Sequence, residues 1–312
     1  MLISICIPAF KRAEYLKRLL DSISIQSYKD FEVIITDDSN DNSVADLIPI
    51  NQKKFSLIYK KNKEPLGSPE NWNEAIRHAQ GQWIKLMHDD DWFTNENSLQ
   101  EFADTALKFT DSSFIFSGYC EIDILKNKKH EFVINNFHLK LLRKSPLNLF
   151  KRNFIGHPST TLIKREYASF YDPNFKWVVD FEFYIRYLIQ KNGLVSIRKP
   201  LINIGLNEFQ ITKRSFRNPA IEIPEVIRLY YKLPPKSLRN IFVYDYYWRF
   251  IRNLSIRTLK DIREYILDDI PIPKVIQKMI KMQSNWSHQL LKNGVISKSL
   301  MFFSYLMNYS IL

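Results

Sequence analysis

The sequence predicts an α/β fold: a mostly parallel central sheet flanked by helices, Rossmann-like in its layering, with a helical appendage at the C-terminal end. Three observations predict it. Short apolar runs alternate with segments of helical period through residues 2–92, polar turn-forming clusters follow successive runs, and the composition changes character beyond about Asn218.

Leu2–Ile7 is a short apolar run and the first strand candidate. Tyr15, Leu16, Leu19, Leu20 and Ile23 then recur at helical spacing. Phe31–Thr36 is a second β-rich run, closed by Asp37-Asp38-Ser39-Asn40-Asp41, residue types that favour turns and helix N-termini. Phe55–Tyr59 is a third strand candidate, and Trp72, Ala75, Ile76 and Ala79 mark one face of a following helix that Gly81 stops. Gln82–Met87 is a fourth run and leads into His88-Asp89-Asp90-Asp91-Trp92. Ser113–His138 suits antiparallel strands with a turn at Lys126–Lys129, and Phe175–Ile189 reads as a loop entering a helix. Six prolines from Pro219 to Pro273 punctuate the aromatic, basic helical segments that follow.

Strand–helix units joined by short connections make a parallel sheet, and such sheets bind ligands beyond the carboxyl ends of their strands. Pro8-Ala9-Phe10, Asp37-Asp38 and Asp89–Asp91 each follow a strand candidate, so three strand ends deliver polar groups to one rim. Adjacent carboxylates repel unless a cation or hydrogen bonds offset them. Mg²⁺ and Mn²⁺ take hard oxygen ligands together with substrate phosphates, so the triplet reads as a divalent-cation site more readily than as a solvated turn.

Charge is uneven. Of the net +12, residues 213–312 hold 17 Lys and Arg against 7 Asp and Glu, whereas residues 1–212 hold 28 against 26. A basic, aromatic-rich region suits an anionic membrane surface or a solvated helical face, and no recognised motif points to nucleic acid. Ser299–Leu312 is uncharged but shorter than the ~20 residues a spanning helix needs, so it either lies on a membrane surface or packs against its neighbours. Cys6 and Cys120 match no metal or redox spacing. With no signal-peptide pattern, the expected location is the cytoplasm, with peripheral contact at the inner face of the plasma membrane as an extension.

These segments together resemble the family 2 glycosyltransferases of GT-A fold. The resemblance is carried by Ile3–Arg12, by Leu16, Leu19, Leu20, Ser22, Ile23 and Gln26, by Phe31–Ile35 with Asp37-Asp38-Ser39, by Asn62, Gly67 and Asn71-Trp72-Asn73, and by Ala79-Gln80-Gly81 ahead of the acidic cluster. It is close over residues 2–92 and weaker to about residue 212, which implies a nucleotide-sugar-binding and catalytic domain over 1–212 and a basic helical region over 213–312.

The resemblance implies that Pro8, Ala9, Phe10 and Asp38 contact the base and ribose of a nucleotide-sugar donor, with Arg12, Asn62, Gly67, Asn71, Asp89 and Asp90 on the same side. The family signature is Asp-x-Asp. With Trp92 fixing the register, His88 stands where the first acid is usual, Asp90 where the second is, and Asp91 extends it. That leaves Asp91 or Asp90 as ligand to Mn²⁺ or Mg²⁺, and His88 as either a support for that ligand or a solvent-facing side chain. Trp177–Arg186 resembles the helix start that bears the family's catalytic base, here Asp180, although Val179 replaces the usual preceding Glu. His157, Ser159, Trp177 and Arg186 fall on the acceptor side, and Asn207–Thr212 is expected to form a loop closing over the diphosphate.

The implied reaction is inverting transfer of a sugar from a nucleoside diphosphate, most often UDP, to a hydroxyl of a glycan or lipid-linked glycan in surface polysaccharide or lipopolysaccharide assembly. Two other classes compete. A sugar nucleotidyltransferase or a Rossmann dehydrogenase needs a glycine-rich first loop, whereas this one reads Pro-Ala-Phe-Lys-Arg. An inactive scaffold serving as a basic surface-binding module would tolerate loss of Asp38, Asp91 and Asp180.

Overall fold

A computed structural model describes residues 2–191, 193–207, 216–267 and 270–312. The chain divides into two compact units: residues 1–143, 154–175 and 186–210 form the first, and residues 144–153, 176–185 and 211–312 the second.

The first unit is built on one sheet. Its strands are β1 (Ile3–Ala9), β2 (Phe31–Asp37), β3 (Leu57–Lys61), β4 (Trp83–Leu86), β5 (Trp92–Phe93), β6 (Phe114–Asp123), β7 (Lys128–Phe132), β8 (Thr161–Lys164) and β9 (Leu194–Gly205). They lie in the order β3-β2-β1-β4-β8-β6-β9-β5, with β7 added on β6. The half formed from the first four long runs is parallel throughout, as their apolar spacing predicts: β1 pairs with β2 and with β4, and β2 with β3. Every residue of β1 and β2 is buried, the mark of central strands covered on both faces. β4 then meets β8 antiparallel, β8 meets β6 antiparallel, β6 and β9 run parallel, and β9 carries β5 antiparallel.

Helices α1 (Ala13–Ser24), α2 (Ile48–Asn51), α3 (Glu70–Arg77), α4 (Ser98–Lys108) and α5 (Asn136–Lys144) connect these strands. Leu16, Leu19, Leu20 and Ile23 of α1 are fully buried against the sheet, each worth ~1.5–3 kcal/mol of apolar transfer. The third strand begins two residues later than Phe55, and the turn between β6 and β7 falls at Ile124–Asn127. Strand character ends at Phe132 rather than His138, because the Asn135 side chain accepts from His138 N at 2.8 Å and starts α5. Cys6 and Cys120 are both free thiols.

The sequence reading missed β5, β8 and β9. β9 is continuous, but its ladder to β6 skips Arg198 and Lys199, and the register shifts on either side of Gly118 to pass that bulge.

The second unit is helical: α7 (Pro219–Lys232), α8 (Ile241–Asn253), α9 (Lys260–Arg263), α10 (Lys274–Ser284), α11 (His288–Lys292) and α12 (Gly294–Asn308). Helix α6 (Val179–Gln190) begins in this unit and ends in the first. The core of the second unit is aromatic, with Phe150, Tyr244, Tyr247 and Trp248 buried. The N-terminus of α6 is held by Glu225, whose carboxylate accepts from the backbone N–H of Lys176, Trp177 and Val178 at 2.8, 2.9 and 3.1 Å. A buried anion there satisfies donors that the helix itself cannot.

A buried polar clamp ties β1, β2 and the entry to β4. Glu32 accepts from Ser4 Oγ at 2.6 Å, Gln80 N at 2.7 Å and Gly81 N at 3.2 Å. Gly81 packs so tightly that a Cβ would lie 2.7 Å from Leu2 O and 2.8 Å from Ser4 N. Gly81→Ala must therefore move backbone, and we expect it to lower stability by ~1–3 kcal/mol in denaturant titration. An unchanged midpoint would show that this junction yields without cost.

Candidate active site

In the strand order the chain turns back between β1 and β4, which makes the carboxyl ends of these two strands the topological switch point where an open α/β sheet has its crevice. The loops after β1 and β4 part there. Arg12 comes from the first and Asp89, Asp90 and Asp91 from the second.

The three acids are buried rather than solvated, and each is held differently. Asp89 Oδ1 meets Arg12 Nη2 at 2.7 Å. Asp90 Oδ2 receives Arg12 Nη1 at 3.2 Å and Asn207 Nδ2 at 2.8 Å, while its carbonyl accepts from Arg18 Nη2 at 2.9 Å. The Arg18 guanidinium in turn lies over the Trp92 ring at 3.7 Å. Asp91 Oδ2 accepts from Ser159 Oγ at 2.5 Å, and its Oδ1 from Gly205 N at 3.3 Å. Residue 205 has to be glycine for this approach, since a Cβ would stand 2.4 Å from Asp90 O.

Burial governs the ionisation of the group. It pushes Asp89 up to about 7 against the pull of Arg12, and it raises Asp91 well above the usual carboxylate range, with Asp90 adding repulsion. Desolvation lowers His88 to about 4 and His157 to about 4, which keeps both imidazoles neutral at pH 7. Lys85, fully buried on β4, donates to Ser159 O and to Thr161 O at 3.2 Å, and burial depresses its pKa as well.

His88, Asp90 and Asp91 each present one donor atom, all within 4.8 Å of one another. Donors bound at ~2.1 Å around one octahedral ion lie ~3.0–4.2 Å apart, so the set is near the spacing that a shared cation needs. The donor chemistry fits: two carboxylate oxygens and a neutral imidazole. Nε2 of His88 is buried with no hydrogen-bond partner among the described residues. His88 packs on Trp72, with ring centroids 4.7 Å apart, and its backbone N–H donates to Ser159 Oγ at 3.0 Å. The His88 side chain is about one-quarter exposed and lies beside the acids.

A second polar layer lies at the ends of β1 and β2. Asp38 N donates to Ala9 O at 3.0 Å, and Lys11 N to Ser39 Oγ at 2.7 Å. The Asp38 carboxylate accepts from Asn62 Nδ2, Leu66 N and Gly67 N at 2.7, 3.0 and 2.8 Å. Asn71 bridges beneath, donating to Ala9 O and Thr36 O and accepting from Asn62 at 3.0 Å. Asp38, Asn62, Gly67 and Asn71 therefore form one connected turn. Pro8 and Ala9 are buried in β1, and Phe10 is exposed beside them.

Ser159 is fully buried and bonded to Asp91, so the structure brings it into the acidic group. His157 lies edge-on to Tyr119, with ring centroids 5.3 Å apart. Arg186 donates to Ser169 Oγ at 2.6 Å and Phe170 O at 2.9 Å. In the second unit, Asp180 opens α6, accepts from Asn153 Nδ2 at 3.4 Å, and is pushed up to about 6 by burial. Trp177 lies just before that helix, 6.0 Å from the Phe216 ring. Residues 208–212 of the expected closing loop lie outside the described residues; Asn207, at its start, reaches Asp90. Sequence reasoning missed Arg18, Gly205 and Lys85, whose partners are far away along the chain.

The Glycosyl transferase family 2 model matches residues 4–171, just over half of the chain. Abequosyltransferase RfbV of Salmonella typhimurium is 32% identical over 111 residues, which cover 34% of this chain and 33% of that protein. The matched stretch is thus about a third of that relative's length. The putative colanic acid biosynthesis glycosyl transferase WcaA of Escherichia coli is 25% identical over 221 residues, 68% of this chain and 75% of its own. Among solved structures, TarS of S. aureus in complex with UDP-GlcNAc superposes with a TM-score of 0.66 at 15% identity, covering 98% of this chain and 89% of TarS. Mannosyltransferase PcManGT from Pyrobaculum calidifontis, in complex with GDP-Man and Mn²⁺, gives 0.59 at 12% identity, covering 99% and 86%. The architecture is the GT-A fold with C-terminal helices, and the chain belongs to glycosyl transferase family 2.

Proposed function

We propose that this protein transfers one sugar from a nucleoside diphosphate donor, UDP first among the candidates, to a hydroxyl of a glycan or lipid-linked glycan, with inversion at the anomeric carbon. The observation that carries this reading is the burial of Asp89, Asp90 and Asp91 at the switch point, with His88 against them and the Asp38 turn beside them. Burying so many acidic groups is costly unless a cation and its ligand share the site. Family membership supports the same chemistry, and the names of RfbV and WcaA support surface polysaccharide assembly.

In this reading residues 1–212 bind the donor. Pro8, Ala9, Phe10 and the Asp38–Asn62–Gly67–Asn71 turn receive the nucleoside, while Arg12, Asp89 and Asp90 border the diphosphate. His88, Asp90 and Asp91 would hold a divalent cation, which supplies positive charge to the departing diphosphate. Ser159 and Gly205 fix the Asp91 oxygens by hydrogen bonds, and Arg18 fixes the backbone of Asp90. An imidazole in the set favours Mn²⁺ over Mg²⁺, which prefers oxygen alone. Asp180 is the candidate base for the acceptor hydroxyl, and His157, Ser159, Trp177 and Arg186 are assigned to the acceptor side. A base must be ionised to work, and Asp180 loses its charge as pH falls through about 6.

Turnover measured as nucleotide release, across UDP-, GDP- and dTDP-sugars with Mn²⁺, Mg²⁺ or chelator, tests the reading. We expect release with one donor class, faster with Mn²⁺ than with Mg²⁺, and abolished by chelator or by Asp91→Ala. No turnover with any donor, together with no nucleotide binding, would sink it. Asp180→Asn is expected to lower kcat by ~10²–10⁴-fold with little change in donor KM. In the wild type, kcat/KM should fall about tenfold per pH unit below about 6. A flat acid limb, or a variant that keeps full kcat, would remove Asp180 from the reaction.

A further inference from the structure

The last long helix of the second unit has its polarity reversed. In α12 the residues facing the protein are Ser297, Met301, Ser304 and Asn308, all buried. Three of these four are polar, and hydrogen bonds tie them to α8: Ser304 Oγ pairs with Tyr244 OH at 2.7 Å, Trp248 Nε1 donates to Ser297 Oγ at 3.1 Å, and Asn308 Nδ2 donates to Tyr244 OH at 3.1 Å. The opposite face carries Val295, Phe302, Phe303, Leu306 and Met307, spaced on one stripe and between 50% and 77% exposed. The terminal turn adds exposed Tyr309 and Ile311. A helix that meets water places these side chains the other way round.

Charge identifies what covers the stripe. From residue 270 to the end the chain has five lysines and no Asp or Glu. All five (Lys274, Lys278, Lys281, Lys292 and Lys298) are exposed. Lys236 and Lys274 also line a cavity of about 460 Å³ together with Ile311 and Leu312. A second copy of the chain is a poor occupant, because a two-fold contact through α12 would bring Lys298, and Lys292 just ahead of the helix, toward their own copies. At 15 residues α12 is ~22 Å long against a hydrocarbon core of ~30 Å, and no helix among the described residues is long and apolar enough to cross a membrane.

The geometry points to α12 as an in-plane anchor that lays its Phe302–Met307 stripe into the interface of an anionic phospholipid bilayer, with exposed lysines of the same C-terminal segment, Lys292 and Lys298 first, on the headgroups. This inference is independent of the sugar-transfer reading and needs no substrate. Apolar insertion and anionic attraction both contribute, with about fivefold in affinity per lysine near the surface.

Flotation of the full chain tests it, with vesicles of phosphatidylcholine alone compared with vesicles containing about one-third phosphatidylglycerol. We expect the protein to float with the anionic vesicles, to bind neutral ones at least about tenfold more weakly, and to be released by high salt. Phe303→Glu with Met307→Glu should cut anionic-vesicle binding by about tenfold or more at an unchanged melting temperature, because both side chains already face outward. Lys292→Glu with Lys298→Glu gives an independent arm and decides the matter should the first pair disturb folding. The inference is overturned if wild-type protein stays unbound to anionic vesicles, or if folded variants float like the wild type. It is equally overturned if the wild type is a dimer in solution that the Phe303/Met307 substitutions split, since the stripe then belongs to a second copy.

Discussion

The first unit depends on the cost of burying three consecutive carboxylates at the end of β4. Left alone they would repel one another and demand water; each buried charge carries a penalty of several kcal/mol before partners are counted. The fold meets that cost with groups drawn from far along the chain: Arg12 and Arg18 from α1 and the loop ahead of it, Ser159 from the turn before β8, and Gly205 and Asn207 from the end of β9. Compensation is incomplete. Asp89 and Asp91 remain inclined to hold protons, and Asp89 Oδ2 and His88 Nε2 have no partner among the described residues. An arrangement that is satisfied only in part is one that a cation and an anionic ligand can complete.

The topology explains why these residues meet. β1 sits between β2 and β4, so the chain leaves its carboxyl end with acidic turns on either side, Asp37-Asp38 and Asp89–Asp91. Asp38 is used to organise the Asn62–Gly67 segment, while Arg12 spans Asp89 and Asp90. Lys85 extends the support inward. By donating to Ser159 O and Thr161 O it fixes the turn whose hydroxyl holds Asp91 and the His88 N–H. Antiparallel β8 and the parallel β6–β9 pair complete the site by bringing the Ser159 turn and the Gly205 backbone to the acids.

Much of this was legible in the sequence, for physical reasons. β1 and β2 are buried along their whole length and β4 throughout, so each is written as a mainly apolar run, with Ser4, Glu32 and Lys85 as buried polar exceptions; α1 buries one face and shows it as period-3.6 leucines. β5 is two residues long, and the apolar pattern of β9 is disturbed by the bulged pair Arg198-Lys199, so neither carries a readable period. The rim was likewise legible wherever a strand end supplied it. The partners of the acids were not, because Arg18, Ser159, Gly205 and Asn207 lie 68 to 117 residues away from the acids they hold, and no local pattern marks a long-range hydrogen bond. His88 showed only as a departure from the Asp-x-Asp pattern. Its neighbours gave it a place, beside Asp90 and Asp91 and against Trp72.

In the proposed cation site an imidazole, that of His88, stands where a carboxylate is usual. Pulsed electron paramagnetic resonance on Mn²⁺-loaded protein with UDP, histidines labelled with ¹⁵N, tests it most directly. A nitrogen coupling from one directly bound imidazole is expected, and it should disappear in His88→Asp while Mn²⁺ remains bound. Bound Mn²⁺ without any nitrogen coupling, or a coupling that survives in His88→Asp, would contradict it.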